Sequence, residues 1–408
     1  MNNNLRVTVL ACALALAACG GHAPSAGGVS LTPALDQART PAAARFRILA
    51  NFGKGTTGQF PSSLTLVSGT FYGTTQLGGS TGNGTVFSMT QAGKVRTIYN
   101  FGNKPDGSHP LGTLLFIDGQ LYGVTSSGGT EGQGKIYSMT PTGTVRVLHN
   151  FRKKNDAARP IAGLIEVNGT LYGTASSGGL GGHGAVYSIK PDGSNYHVLY
   201  RFQGGPKDGS NPGAALTYAN GVFYGTTYMG GKYSGRFGTG EGTVYSLTPS
   251  GAEHVLHNFQ NNTKDGGLPE STLVNVNGLF YGTTQSGGAN YVFSTCNAGT
   301  AYSITPSGEE KIIHSFGAQG DGTLPAELIY TGGIFYGTTF DGGNSAACNS
   351  ATGGTVFSMQ TNGTERLLHV FSDNSIPAWP PIYLNGALYG PTLFGGTGLY
   401  SYIYKLSL

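Results

Sequence analysis

The sequence predicts an all-β protein, a seven-bladed β-propeller of four-stranded blades, and three observations carry that reading. One phrase recurs seven times, as Tyr72-Gly73-Thr74-Thr75, Tyr122-Gly123, Tyr172-Gly173-Thr174, Tyr224-Gly225-Thr226-Thr227, Tyr281-Gly282-Thr283-Thr284, Tyr336-Gly337-Thr338-Thr339 and Tyr389-Gly390. Successive tyrosines are 50, 50, 52, 57, 55 and 53 residues apart. Such a period marks a repeat architecture whose units bury their faces only against their neighbours. Each unit contains four short β-prone runs and no helical periodicity, the pattern of a propeller blade. The two chain ends also complement each other. The seventh unit stops after a third strand at Tyr402-Ile403-Tyr404-Lys405-Leu406, and Phe46-Arg47-Ile48-Leu49-Ala50-Asn51-Phe52 matches the fourth strand of the other units. The two ends are expected to complete one blade, which leaves no open sheet edge.

The third unit justifies the elements in order. Leu164-Ile165-Glu166-Val167 and Thr170-Leu171-Tyr172-Gly173-Thr174 flank Asn168-Gly169, a pair that accepts positive φ at both positions of a two-residue hairpin turn. Asn220-Gly221, Asn277-Gly278, Asn385-Gly386, Asp118-Gly119 and Gly332-Gly333 fill the same slot. A glycine-rich loop leads to the third run, Gly184-Ala185-Val186-Tyr187-Ser188-Ile189. The turn Pro191-Asp192-Gly193 then leads to the fourth, His197-Val198-Leu199-Tyr200-Arg201-Phe202. Glycine amounts to 70 of 408 residues but falls at fixed offsets, and charged residues are only 10%, which suits sheets covered on both faces.

The amino terminus reads as an address. Arg6 precedes an apolar run from Val7 to Ala18, and Leu16-Ala17-Ala18-Cys19 has the bacterial lipobox pattern. Residues 1–18 are expected to be a lipoprotein signal peptide, residues 19–44 a Gly/Ser/Ala/Pro-rich tether lipidated at Cys19, and residues 45–408 the propeller. Gly20 after the cysteine favours the outer membrane, by similarity to enterobacterial sorting. The formal charge of +4 falls to +3 without Arg6, and the basic residues are scattered. That is not a nucleic-acid footprint. With Cys12 removed and Cys19 acylated, Cys296 and Cys348 remain in an oxidising compartment. They sit in enlarged loops on adjacent blades, where a disulfide between them is expected; the alternative is two separate thiols. The step from the repeat tyrosine to the glycine of the third strand is 12 residues in units one to three and 18 in units four to six.

The combined pattern [LF]-Tyr-Gly-Thr-Thr-x-x-Gly-Gly…Gly-Thr-Val-[FY]-Ser…Val-Leu-His-x-Phe resembles the bacterial GloVer tandem-repeat family, also called choice-of-anchor. The resemblance covers about residue 45 to 408. It implies an exported, surface-anchored repeat protein, and it carries over no catalytic residue and no cofactor.

Candidates for chemistry come from columns and from asymmetry. Asp106, Asp156, Asp208, Asp265, Asp321 and Asp373 each stand four residues before a proline. They read either as a cation-binding rim or as turn residues whose carboxylates accept backbone amides, and the second is preferred. His149, His257, His314 and His369 share one offset in the fourth run, one to a blade, so they cannot share a metal with one another. No metal site is assigned. The enlarged loops are expected to bring Tyr228, Tyr233, Arg236, Phe237, Tyr291, Phe293 and Phe340 to one rim, joined by Trp379, the only tryptophan. Exposed aromatics on a rigid scaffold are a binding signature; the alternative is that they fold over and cover the channel mouth. The expected function is a monomeric, membrane-anchored binding module for a glycan or an envelope protein. The alternative is a polysaccharide hydrolase or lyase using carboxylates such as Asp341, Glu241 or Asp321.

Overall fold

The computed structural model describes residues 44–53, 57–102, 105–153, 155–233, 239–292, 298–318, 320–342, 353–395 and 401–408. The signal peptide and tether, with Cys19, therefore lie outside the described residues, as do Arg236, Phe237, Phe293, Cys296 and Cys348. The described residues are all-β. They form seven four-stranded antiparallel blades, with sheet order following chain order in blades 1 to 6, within a unit that spans Ala44–Leu408. In blade 1 the four strands are Gln59–Val67, Thr70–Leu77, Thr85–Thr90 and Val95–Asn100. Blades 2 to 6 occupy residues 107–150, 157–201, 209–258, 266–315 and 323–370. Blade 7 takes its first three strands from Ile382–Leu384, Ala387–Pro391 and Ser401–Ser407, and its fourth from Arg45–Phe52.

Ring closure is the expected one. Arg45 pairs with Ser407, Phe46 with Leu406, Arg47 with Lys405 and Phe52 with Ser401. The closing strand also reproduces the contact made at every other blade boundary. The phenylalanine directly after each of these fourth strands meets the third-strand aromatic of the next blade: Phe101–Tyr137 at 5.4 Å, Phe151–Tyr187 at 5.1 Å and Phe371–Tyr404 at 5.4 Å. Phe52 makes the same contact with Phe87 at 4.9 Å. The core is thus a ring of boundary clusters rather than one central mass.

The recurring phrase has a packing cause. In all seven blades the glycine after the repeat tyrosine pairs across the ladder with the third-strand aromatic, as Gly123 does with Tyr137 and Gly173 with Tyr187. A Cβ on Gly123 would lie 2.5 Å from the Tyr137 hydroxyl, and one on Gly390 would lie 2.4 Å from that of Tyr404. The ring crosses the backbone where a side chain would stand, so only glycine fits. The preceding tyrosine packs across the boundary, as Tyr224 does on Phe280 at 4.0 Å and Tyr281 on Phe335 at 4.8 Å. The first hairpins carry the expected two-residue turns, with φ of 51° at Asn168 and 70° at Gly169.

Candidate functional site

Hydrogen bonds put two sets of loops on one face. The amide of Gly129, in the loop between the second and third strands of blade 2, donates to the Asp106 carbonyl in the connection entering that blade, at 2.8 Å. Gly179 does the same to Asp156 and Gly231 to Asp208, each at 2.8 Å, and Gly288 to Asp265 at 3.1 Å. Five of the expected aromatics are described on this face: Tyr228, Tyr233, Tyr291, Phe340 and Trp379, all half-exposed. The Lys232 ammonium lies 5.6 Å from the centre of the Tyr233 ring. The Trp379 indole Nε1 is buried and has no hydrogen-bond partner. Two placements differ from expectation. Phe340 lies in the second strand of blade 6, Ile334–Asp341, and Tyr228 directly follows that of blade 4, Val222–Thr227. In blade 6 the second strand runs two residues past its Tyr-Gly-Thr-Thr motif, and in blade 4 it ends on the motif's last threonine.

A second feature of this face escaped the sequence reading. Phe60, His109, Arg159, Asn211, Leu268 and Leu324 each precede the recurring proline at the entry to a blade, and each has a left-handed φ between 56° and 58°. Non-glycine residues rarely adopt this conformation, and it costs roughly 1–3 kcal/mol. Inter-blade bonds hold it: His109, Arg159, Asn211, Leu268 and Leu324 donate their amides to Asn83, Gln133, His183, Glu241 and Ala298, in the preceding blade's loop, at 2.8 to 3.0 Å. One backbone geometry therefore presents a changing set of side chains around the ring. Proline at fixed spacing was visible in the sequence, but the residue before it varies too much to read as a motif.

The aspartate column has the turn chemistry expected of it. Asp106 accepts the amides of Gly102 and Gly107, each at 2.7 Å, and Asp208 accepts those of Gln203 and Gly209 at 2.7 and 2.6 Å. Asp265 takes the amides of Gln260 and Gly266 at 3.0 and 2.7 Å. The histidine column serves these same carboxylates, which sequence reasoning missed. His149 Nε2 lies 3.0 Å from Asp156, His257 Nε2 3.3 Å from Asp265 and His314 Nε2 3.1 Å from Asp321. Tyrosine fills the slot in two blades, and Tyr99 and Tyr200 donate to Asp106 and Asp208 at 2.8 and 2.9 Å.

What meets each pair from the next blade decides its electrostatics. At the boundary of blades 1 and 2 the Lys135 ammonium donates to Asp106 at 2.7 Å, with its side chain only 2% exposed. Burial raises the Asp106 carboxyl, but the Gly102 amide, Lys135 and Tyr99 together hold it below its ordinary range. At the next boundary Tyr196 stacks on His149 with ring centres 3.6 Å apart, and its hydroxyl donates to Asp156. Despite burial, His149, Tyr196 and the Arg152 amide keep that carboxyl low. The next three boundaries receive a carboxylate at the same strand position: Glu253, Glu310 and Glu365. Burial first, and then the adjacent Asp208, Asp265 or Asp321, pushes each glutamate up to about 7. Closing blade 7 brings Phe46, stacked on His369 at 4.1 Å, where burial holds the imidazole below its usual range.

The carboxylates considered for catalysis are engaged in the scaffold. Asp341 accepts the Gly342 amide at 2.8 Å, and Glu241 accepts the Asn261 side-chain amide at 2.8 Å; both acids are buried. Asp321 accepts the Gly322 amide at 2.8 Å besides its histidine.

Comparisons agree with this architecture. The solved structure of an oligogalacturonate lyase in complex with manganese is similar over 90% of this chain and 96% of that one, with TM-score 0.53 and 11% identity. The Pan2 WD40 domain of Neurospora crassa matches over the same shares, with TM-score 0.52 and 9% identity. At these identities the likeness is one of fold, and a fold does not carry a function. No curated protein matches the chain. The profile of the Gloeobacter/Verrucomicrobia repeat matches residues 38–239 and again 233–408. Two tandem matches spanning nearly the whole propeller settle its kinship: the chain belongs to the Gloeobacter/Verrucomicrobia repeat family.

Proposed function

We propose that the protein is a binding module of the bacterial cell envelope, tethered through lipid on Cys19 at the outer membrane, that engages a glycan or a partner protein with the loop face of blades 4 to 7. The observation that carries this is the half-exposure of Tyr228, Tyr233, Tyr291, Phe340 and Trp379 on that face, while the repeat tyrosines and third-strand aromatics are spent on the blade boundaries. Aromatic faces held on a rigid scaffold bind sugars and peptides at low entropic cost. The left-handed residues beside them add varied polar and apolar contacts on a constant backbone.

The enzymatic reading has weaker support. Each raised glutamate does stand beside an aspartate, but the arrangement recurs at three successive boundaries and each aspartate is tied to a turn amide, as a repeated packing feature is and a single catalytic cleft is not. A glycan array and an envelope-protein capture screen, run with the wild-type chain and with Trp379→Ala/Tyr233→Ala, test the proposal. Binding by the wild type that is lost in the double variant supports it. Hydrolysis or elimination of any arrayed polysaccharide, or binding that survives the substitutions, overturns it.

A further inference from the structure

We propose that His257, Asp265 and Glu310 form a binding site for a divalent transition-metal ion of the Zn²⁺ class at the boundary of blades 4 and 5. One ligand atom from each residue lies within 4.8 Å of the other two. Metal bonds of about 2.0–2.2 Å set neighbouring donors roughly 3 Å apart. The His257 Nε2 and Asp265 Oδ1 pair is already at 3.3 Å, and rotation of the Glu310 side chain closes the third edge. The ligands come from two blades: His257 and Asp265 follow one another at the end of blade 4 and the entry to blade 5, and Glu310 begins the fourth strand of blade 5.

Two further observations point to a cation. Glu310 Oε1 is buried and has no hydrogen-bond partner. An orphaned carboxylate oxygen beside a second carboxylate is costly unless a proton or a cation satisfies it. The protein itself also places a cation at the equivalent turn elsewhere. Lys135 pairs with Thr125 and Asn150 in blade 2, as Thr300 pairs with Thr284 and Ser315 in blade 5. Lys135 neutralises Asp106, and Thr300 stands in its place before Asp265. A divalent ion held by two carboxylates and a neutral imidazole gives the same zero net charge as the Asp106–Lys135 pair. One imidazole with two carboxylates suits zinc and its transition-metal neighbours, whereas calcium and magnesium prefer oxygen-only shells. Such an ion would tie blades 4 and 5 beside the loop face and rigidify it. His314, Asp321 and Glu365 repeat the three residue types one boundary further on.

The test is zinc titration of the full chain after EDTA stripping, with calcium and magnesium as controls. The expected result is saturable zinc uptake that calcium and magnesium do not compete away. Affinity at this site falls more than about tenfold in Glu310→Gln and in His257→Gln. His369→Gln keeps wild-type uptake, because its imidazole faces Phe46. The charge graft Thr300→Lys supplies the ammonium that blade 2 already carries and abolishes uptake without removing a ligand. X-ray absorption on the zinc-loaded wild type should show nitrogen and oxygen neighbours with imidazole scattering. Uptake unchanged by Glu310→Gln, His257→Gln and Thr300→Lys, a sulfur shell pointing to Cys296 and Cys348, or no zinc uptake would each overturn the site.

Discussion

Blades 1 to 3 and blades 4 to 6 share one backbone plan and solve its electrostatics in opposite ways. At the first two boundaries the turn aspartate meets Lys135 or Tyr196, and its carboxyl is held below the ordinary range. At the next three it meets Glu253, Glu310 or Glu365, which are pushed up to about 7. By linkage the two halves should respond to pH with opposite sign. A carboxyl held low contributes stability that is present above its unfolded pKa and lost on acidification. A carboxyl held high binds more protons folded than unfolded between about 4.5 and 7, so its contribution falls as pH rises through that window. The lesson is that the propeller tolerates either sign of charge at its boundaries, because stacked aromatics and amide-capped turns already hold them. The boundary charge is then available for other uses, and a repeated glutamate marks the half with the longer loops.

The largest predicted effect breaks the neutralised half. Lys135→Met leaves the half-buried Asp106 without its cation and should cost about 3 kcal/mol, the low end for a buried pair because Asp106 keeps some contact with solvent. Adding Asp106→Asn should recover much of that, because the uncompensated charge disappears. Urea denaturation of the two variants checks this; a single variant as stable as the wild type would mean that Tyr99 and the turn amides suffice for Asp106. A smaller loss is expected at the closing boundary, which uses neither charge. Phe46→Ala removes the ring stacked on His369 and should cost about 2 kcal/mol, given its half-burial. His369 should titrate higher once that cover is gone, which an NMR pH titration of its ring protons would follow.

Glu253→Gln sharpens the comparison from the other side. The glutamate faces Tyr200 at 3.3 Å and Asp208 beyond it. At pH 5, where Glu253 is protonated in the fold, the amide should change little. At pH 8 the variant should exceed the wild type by about 1 kcal/mol, allowing for solvent screening of a partly exposed group. Thermal melts at the two pH values decide it, and an advantage confined to pH 5 would reverse the assignment.

The scaffold was legible in the sequence because its causes are local and repeated. Asn-Gly fixes a hairpin, glycine opposite an aromatic fixes a ladder position, and seven copies of each average out the noise. The same repetition showed that Arg45–Phe52 belonged to the last blade. The boundary chemistry was less legible, since it joins residues about fifty apart that belong to no single motif. His257 and Asp265 were both seen as members of columns. Glu310 is harder to read as part of a column, because its position holds glutamate only in blades 4 to 6 and valine, tyrosine or phenylalanine in the other four. The left-handed residues were hidden for a related reason, since their backbone recurs and their side chains do not.

The smallest effect on stability should come from the loop face, and there the comparison meets function. Tyr233 is half-exposed beside Lys232 in the enlarged loop of blade 4. Tyr233→Ala should move the melting temperature little, within about 0.5 kcal/mol, as expected for a surface position away from the core. Its ligand affinity should nevertheless fall about tenfold or more if the ring is a binding anchor. Shortening the corresponding loop of blade 1, around Ser80 to Asn83, is not an equivalent change, since the Asn83 carbonyl accepts the His109 amide and holds that left-handed residue in place. The proper control is Leu180→Ala in blade 3, an exposed apolar side chain at the tip of a short loop. If both substitutions leave stability intact and only Tyr233→Ala weakens binding, the enlarged half carries recognition. Equal losses from both would spread the binding surface around the whole ring and remove the functional meaning of the longer loops.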